Sequence, residues 1–147
     1  MADWSVAIPD APFDWEMIPL DGKKRPIDPE TGDLMKQWQQ KPGYDIESIS
    51  RLNGLVKAVG LKLGPPSGGV LAVDFDGPAA AGKFEEVFNR HPRELGDTVG
   101  VTSGKPKRGQ LLFQVDQDWW AHLKGRRAWT DENGETCLEL RWVGHQS

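Results

Sequence analysis

Three segments of the chain alternate apolar and polar side chains, and this pattern restricts the fold more than any other feature of the sequence. They cover 70–76, 110–115 and 137–143. Because side chains alternate across a strand, each segment has an apolar face and a second face. The second faces together carry Asp74, Asp76, Gln110, Glu139 and Arg141. We therefore predict an antiparallel sheet with helices on its apolar face and polar groups on the other.

The rest of the pattern predicts an α+β chain. Helical spacing of apolar residues predicts helices over 46–57 and 79–90, both expected on the apolar face of the sheet. Further strands are expected over 13–20, 59–63 and 98–102, and a short helix over 117–124. Asn133-Gly134 predicts a hairpin between 126–131 and 135–144. The first 45 residues, rich in Pro and Trp, are expected to form a lead-in layer.

Composition places the chain among globular proteins. Its 147 residues suit one domain, 1–147, and 37% hydrophobic residues suffice for a core. It has no apolar run of about 18 residues, no signal-like start and one cysteine, which predicts a cytoplasmic protein away from membranes. The net charge of −4 argues against a surface that is basic throughout. The chain ends three residues after Gly144, which favours the N-terminal fragment of a longer protein.

Asp74 and Asp76 form the most chemically specific motif. Their Cα atoms stand about 6.6 Å apart on one face of a strand, and two such carboxylates repel each other when ionised. A divalent cation relieves the repulsion, and carboxylate oxygens suit Mg²⁺ or Mn²⁺. Glu139 is a third candidate ligand, and such a triad can hold two metals that clamp a triphosphate and activate a 3′-hydroxyl. The alternative is an ordinary strand end, because Gly77-Pro78 follows.

Cations gather in the loop over 103–109. Lys105, Lys107 and Arg108 stand there between two glycines, and with backbone amides they could cradle phosphate. The alternative is a solvated hairpin tip. Two further basic clusters, over 23–25 and 124–127, could line a groove for a nucleic-acid backbone.

Six short motifs follow one another in a recognisable order. They are Lys23-Lys24-Arg25-Pro26, Trp38, Val59-Gly60-Leu61, the strand ending in Asp74-Phe75-Asp76, Thr102-Ser103-Gly104 with Gln110-Leu111-Leu112-Phe113, and Leu138-Glu139-Leu140-Arg141. This order resembles the N-terminal domain of bifunctional DNA primase/polymerases, in the archaeo-eukaryotic primase superfamily. The resemblance extends from about Trp15 to His145.

The resemblance implies an RNA-recognition-motif-like (RRM-like) antiparallel or mixed sheet and template-directed nucleotidyl transfer. DNA template and nucleoside triphosphates would be the partners. Asp74, Asp76 and Glu139 would be catalytic and would hold Mg²⁺ or Mn²⁺. The nucleotide-binding residues would be Ser103, Gly104, Lys105, Lys107, Arg108, Gln110 and Arg141. A downstream helicase domain and a plasmid, phage or other mobile element would be the usual setting.

Two departures from the family pattern bear on activity. Gln110 stands where the family has histidine, and an amide donates a hydrogen bond but carries no positive charge. Nucleotide binding is therefore expected to be weakened or to shift to Lys105, Lys107 or Arg108. The loop is also longer than usual and contains Pro106. A non-catalytic nucleic-acid or nucleotide-binding module is therefore the alternative, and a metal-dependent nuclease is a third class.

Overall fold

Two antiparallel sheets organise the chain. In the computed structural model, which describes residues 14–50, 54–102 and 104–146, a small sheet pairs β1 (Met17–Leu20) with β2 (Ala58–Leu61). The larger sheet has five strands in the order β4-β5-β3-β7-β6. Their bounds are β3 Val70–Asp76, β4 Val99–Val101, β5 Arg108–Gln114, β6 Arg126–Thr130 and β7 Thr136–Arg141. The predicted α+β class with antiparallel sheets is confirmed, whereas the RRM-like arrangement stays a prediction.

Among the described residues, two α-helices lie between the strands, α1 (Ile46–Ser50) and α2 (Ala80–Phe88). Four short 3₁₀ turns add to them, at Trp38–Gln40, Pro65–Ser67, Pro92–Leu95 and Gln117–His122. The last of these lies within the short helix predicted over 117–124. In the described part of the chain, no helix has the length and apolar character needed to cross a membrane.

The predicted apolar face carries α2. Phe84 packs with Val73 and Leu138 in one buried cluster, and its ring centroid lies 5.7 Å from that of Phe75. At the far end of the helix, Phe88 meets Trp129 of β6 edge to face. Val73 and Phe75 therefore contribute to the core on this side, as their alternation predicts.

The helix predicted over 46–57 differs from expectation in length and place. Helix α1 spans Ile46–Ser50, and residues 54 and 55 already form a turn. Its neighbour is β1 of the small sheet, not the large sheet on which it was expected. Ile49 of this short helix is fully buried. An apolar spacing compatible with a helix does not specify which sheet the helix covers.

The small sheet covers part of the large sheet's polar face. Leu61 and Leu63 pack with Val70, Ala72 and Leu112 in a second buried cluster. By strand alternation, the last three share their face with Asp74 and Gln110 rather than with α2. Trp15, from the expected lead-in layer, packs against the same cluster, so this layer lies over the end of the face that carries Val70 and Ala72.

A buried lysine joins the parts of this layer. The Lys62 side chain is 6% exposed, and its Nζ donates to the backbone oxygen of Lys41 over 2.6 Å. It also lies 3.4 Å from a carboxylate oxygen of Glu16, which accepts the backbone N–H of Gly43. Buried cations need such partners. The pair therefore ties three distant segments together.

Candidate active site

The strand register brings the predicted acids onto one face. Asp74 of β3 lies directly opposite Gln110 of β5 on one side and Glu139 of β7 on the other. Asp76 follows two residues on, opposite Arg108. We call this surface the acid face and define it by Asp74, Asp76, Gln110, Glu139 and Arg141. The shared face predicted from alternation is confirmed by the register.

Arginines fill the spaces between the carboxylates. Arg141 reaches two of them, with Nη2 at 2.8 Å from Asp74 Oδ2 and Nε at 3.1 Å from Glu139 Oε2. On the outer side, Arg126 binds Glu139 in a fork, Nε to Oε2 at 2.9 Å and Nη2 to Oε1 at 3.0 Å. Arg108 Nε lies 2.8 Å from Asp76 Oδ1. Each of the three carboxylates thus has at least one guanidinium partner.

From the sequence, Arg126 was assigned only to the basic cluster over 124–127, and no place beside the acids was predicted for it. It pairs across the hairpin with Arg141, so its side chain shares the acid face. The sequence contained a signal for this pairing, because a turn at Asn133-Gly134 sets the register that places Arg126 opposite Arg141. The repulsion between the two facing arginines is offset because both bind the Glu139 carboxylate.

Burial and neighbouring charges act differently on the two central acids. Burial is the largest cause that raises the pKa of Asp74 above its ordinary value; the charges of Glu139 and Asp76 add to it, and Arg141 opposes. For Glu139, hydrogen bonds from Arg126 are the largest cause, and they hold its pKa below the ordinary value. Asp74 therefore feels the repulsion expected of an acid cluster, whereas Glu139 is the better compensated member.

The donor set fits a divalent metal in residue type and register. Three hard oxygen donors share the acid face, and the two neighbours of Asp74 raise its pKa by repulsion, which a cation would relieve. In the described part of the chain, however, no group of three His, Cys, Asp or Glu side chains is arranged to hold an ion. The arginines take up the carboxylate oxygens instead. Metal binding by these residues would require Arg141 to withdraw from Asp74 and Glu139.

Gln110 lies beside Asp74, and the basic loop lies further along β5, beyond Arg108 and Asp76. The Gln110 side chain hydrogen-bonds to Asp74, which lowers the pKa of that acid slightly against the effect of burial. Gly104 donates its backbone N–H to Thr102 Oγ1 at 3.1 Å, while Ser103 lies outside the described residues. Lys105 and Lys107 are exposed in the connection between β4 and β5, which together with Arg108 we call the basic hairpin. The predicted nucleotide-binding residues that are described therefore divide between the acid face and the hairpin beside it.

Comparison with protein families gives a match over nearly the whole chain. Residues 11–147 match the family described as bifunctional DNA primase/polymerase, N-terminal. Neither curated proteins nor solved structures give a match. The matched region contains every residue of the acid face and the basic hairpin. The motif order, the register of the acids and this match agree, and the chain belongs to the family of bifunctional DNA primase/polymerase N-terminal domains.

Proposed function

We propose that this chain carries out template-directed nucleotidyl transfer, as a DNA primase, a DNA polymerase or both. The observation that carries the proposal is the placement of Asp74, Glu139 and Asp76 on one face of the sheet. Family membership implies DNA and nucleoside triphosphates as substrates. The cytoplasmic location, the downstream helicase domain and the mobile-element setting stay predictions.

The three carboxylates would hold Mg²⁺ or Mn²⁺. When bound, such ions neutralise triphosphate charge and lower the pKa of an attacking hydroxyl. The chain's own contribution is to fix the carboxylates on paired strands, where the ladder hydrogen bonds set their spacing. Burial of Asp74 keeps the surroundings of that carboxylate low in dielectric, which strengthens its interaction with any cation.

The arginines have a second role in this proposal. Arg141 and Arg108 balance the carboxylates before substrate arrives, and a guanidinium freed from a carboxylate is a bidentate ligand for phosphate. Gln110 adds a neutral hydrogen-bond donor beside Asp74. Substrate phosphates would thus meet positive charge at the same face that holds the acids.

Primer extension tests the proposal. Wild type, Asp74→Asn and Asp76→Asn are compared on a primer–template with deoxynucleoside triphosphates and Mg²⁺ or Mn²⁺. Loss of a metal-ligating carboxylate is expected to reduce incorporation by about 100-fold or more. Glu85→Gln, which removes an exposed carboxylate of α2, is the matched control and should extend the primer like wild type. Incorporation unchanged in both Asp variants would refute the assignment.

A non-catalytic nucleic-acid or nucleotide-binding module is the second candidate. It is favoured by the ion pairs, because each carboxylate of the acid face already has a guanidinium partner. It predicts DNA binding that survives Asp74→Ala, with no incorporation under any divalent metal. Cleavage of DNA without added nucleotides would instead identify the nuclease class.

A further inference from the structure

A cavity of about 800 Å³ opens beside the acid face, at the end of the sheet where β3 leads into α2. One wall comes from the turn before α2 and from the chain around Pro92. The other comes from the basic hairpin between β4 and β5. The cavity is therefore built from three segments that are distant in sequence.

The floor of this cavity is apolar. Phe75 and Leu111 contribute from the sheet, and Pro78 and Ala81 contribute from the start of α2. By register, Phe75 and Leu111 lie on the helix-bearing face, opposite to Asp74 and its partners. An apolar floor of this size accommodates a flat ring or a sugar better than an isolated ion.

The rim is cationic on both walls. Arg93 stands on one wall, and Lys105, Lys107 and Arg108 stand on the other. Among the described residues that line the cavity, none carries a carboxylate. Arg108 pairs with Asp76, whereas no described carboxylate lies within ion-pair distance of Arg93, Lys105 or Lys107. The cavity therefore offers positive charge to an anionic ligand.

Hydrogen bonds hold both walls in place. Gly77 donates its backbone N–H to the Lys107 oxygen at 2.9 Å, which fastens the hairpin to the turn before α2. On the opposite wall, His91 Nδ1 accepts from the Arg93 backbone N–H at 3.2 Å, and Glu94 accepts from the His91 backbone. The site is thus largely formed before any ligand binds, which limits the entropic cost of binding.

We propose that this cavity binds a strand of single-stranded nucleic acid. A base or sugar lies on the apolar floor, and successive phosphates meet the cations of the two walls. A nucleoside triphosphate concentrates its charge at one end, whereas these cations stand on opposite walls. Arg108 both lines the cavity and pairs with Asp76, so a strand held here passes next to the acid face. The inference rests on the proposed function, which makes DNA a substrate, and it adds the surface on which the strand is held.

Fluorescence anisotropy with a labelled oligothymidylate of about 12 nucleotides, in EDTA, tests the proposal. Arg93→Glu reverses the charge of one wall, and Ala81→Trp fills the floor without changing charge. Arg90→Glu is the matched control, since Arg90 is exposed and does not line the cavity. Arg93→Glu should weaken binding about tenfold and reduce the salt slope by about 0.7, the value for one phosphate contact on a single strand.

The outcomes separate this site from its alternatives. Ala81→Trp should also weaken binding several-fold, and Arg90→Glu should stay within about twofold of wild type. Equal effects of Arg93→Glu and Arg90→Glu, in variants whose circular dichroism matches wild type, would overturn the proposal. So would a parallel titration in which Arg93→Glu impairs binding of dTTP but not of the oligonucleotide. Because the assay contains no metal, failure of nucleotidyl transfer leaves its result unaffected.

Discussion

Asp74 and Glu139 face each other on neighbouring strands, yet their surroundings move their pKa values in opposite directions. Burial raises the pKa of Asp74, and the Arg126 fork lowers that of Glu139. Burial is the largest cause at Asp74, and the position of the arginines adds to the difference: Glu139 is bound from both sides, and Asp74 is approached by one arginine at 2.8 Å. At the scale of single residues, the charged form of Glu139 is therefore stabilised, whereas the charged form of Asp74 is destabilised.

This asymmetry predicts opposite pH effects on stability. Because its folded pKa is lowered, Glu139 stabilises the fold above its unfolded pKa, and this is lost as pH falls through the folded value. Because its folded pKa is raised, Asp74 contributes stability at low pH that is lost as pH rises through the folded value. The free energy of unfolding, measured with denaturant between about pH 3 and pH 7, should contain both contributions, with opposite slopes against pH.

Two variants isolate the two contributions. Glu139→Gln should remove part of the loss of stability on acidification, and Asp74→Asn should remove a component of opposite slope. Glu85→Gln, on the exposed side of α2, is the control for removing a carboxylate elsewhere. Profiles of Glu139→Gln and Asp74→Asn that depart from wild type in the same direction would contradict the assignment.

At the scale of elements, a close contact fixes where β3 begins. Gly69, just before the strand, has φ +96°, and a Cβ placed on it would lie 2.6 Å from Trp120 Nε1. The Trp120 indole is held there because it donates to the Val115 oxygen at 2.9 Å and meets the Trp142 ring edge to face. The entry to β3 is thus determined by a contact with the 3₁₀ turn after β5.

Gly69→Ala should therefore destabilise the protein more than a positive φ alone explains. A non-glycine residue in this conformation costs about 1–2 kcal/mol, and the clash with the indole adds to it. Gly134→Ala is the matched control, because Gly134 has φ +79° with open space around its Cα. We expect about 1 kcal/mol for Gly134→Ala and at least about 2 kcal/mol for Gly69→Ala, measured by denaturant unfolding. Equal losses would show that the contact with Trp120 carries no energy.

At the scale of the whole molecule, one buried cluster joins the two sheets. Leu63 is 1% exposed and belongs to the cluster with Val70, Ala72 and Leu112 of the large sheet. The contact places the small sheet over the end of the polar face that carries Val70 and Ala72, next to the acids. The same contact that completes the core thus also bounds the candidate active site.

Leu63→Ala should lower the stability of both sheets together. Truncation of a buried leucine costs about 2–5 kcal/mol, and a shared core predicts one cooperative transition. Far-UV circular dichroism and tryptophan fluorescence should report the same lowered midpoint. Leu34→Ala, at a side chain that is 52% exposed, should change the stability by less than about 0.5 kcal/mol. Separate transitions for the two probes would show that the sheets unfold independently.

The alternation of residues 70–76, 110–115 and 137–143 determined the strands and the face on which each acid lies, because side-chain direction along a strand is a local property. The Asn133-Gly134 turn likewise determined the hairpin around it, and the order of the short motifs identified the family. The tertiary structure decided where α1 packs, that the small sheet covers part of the polar face, and that Arg126, Arg141 and Arg108 take up the carboxylates. These contacts join segments far apart in the chain. They depend on strand register and burial, which no short stretch of sequence specifies.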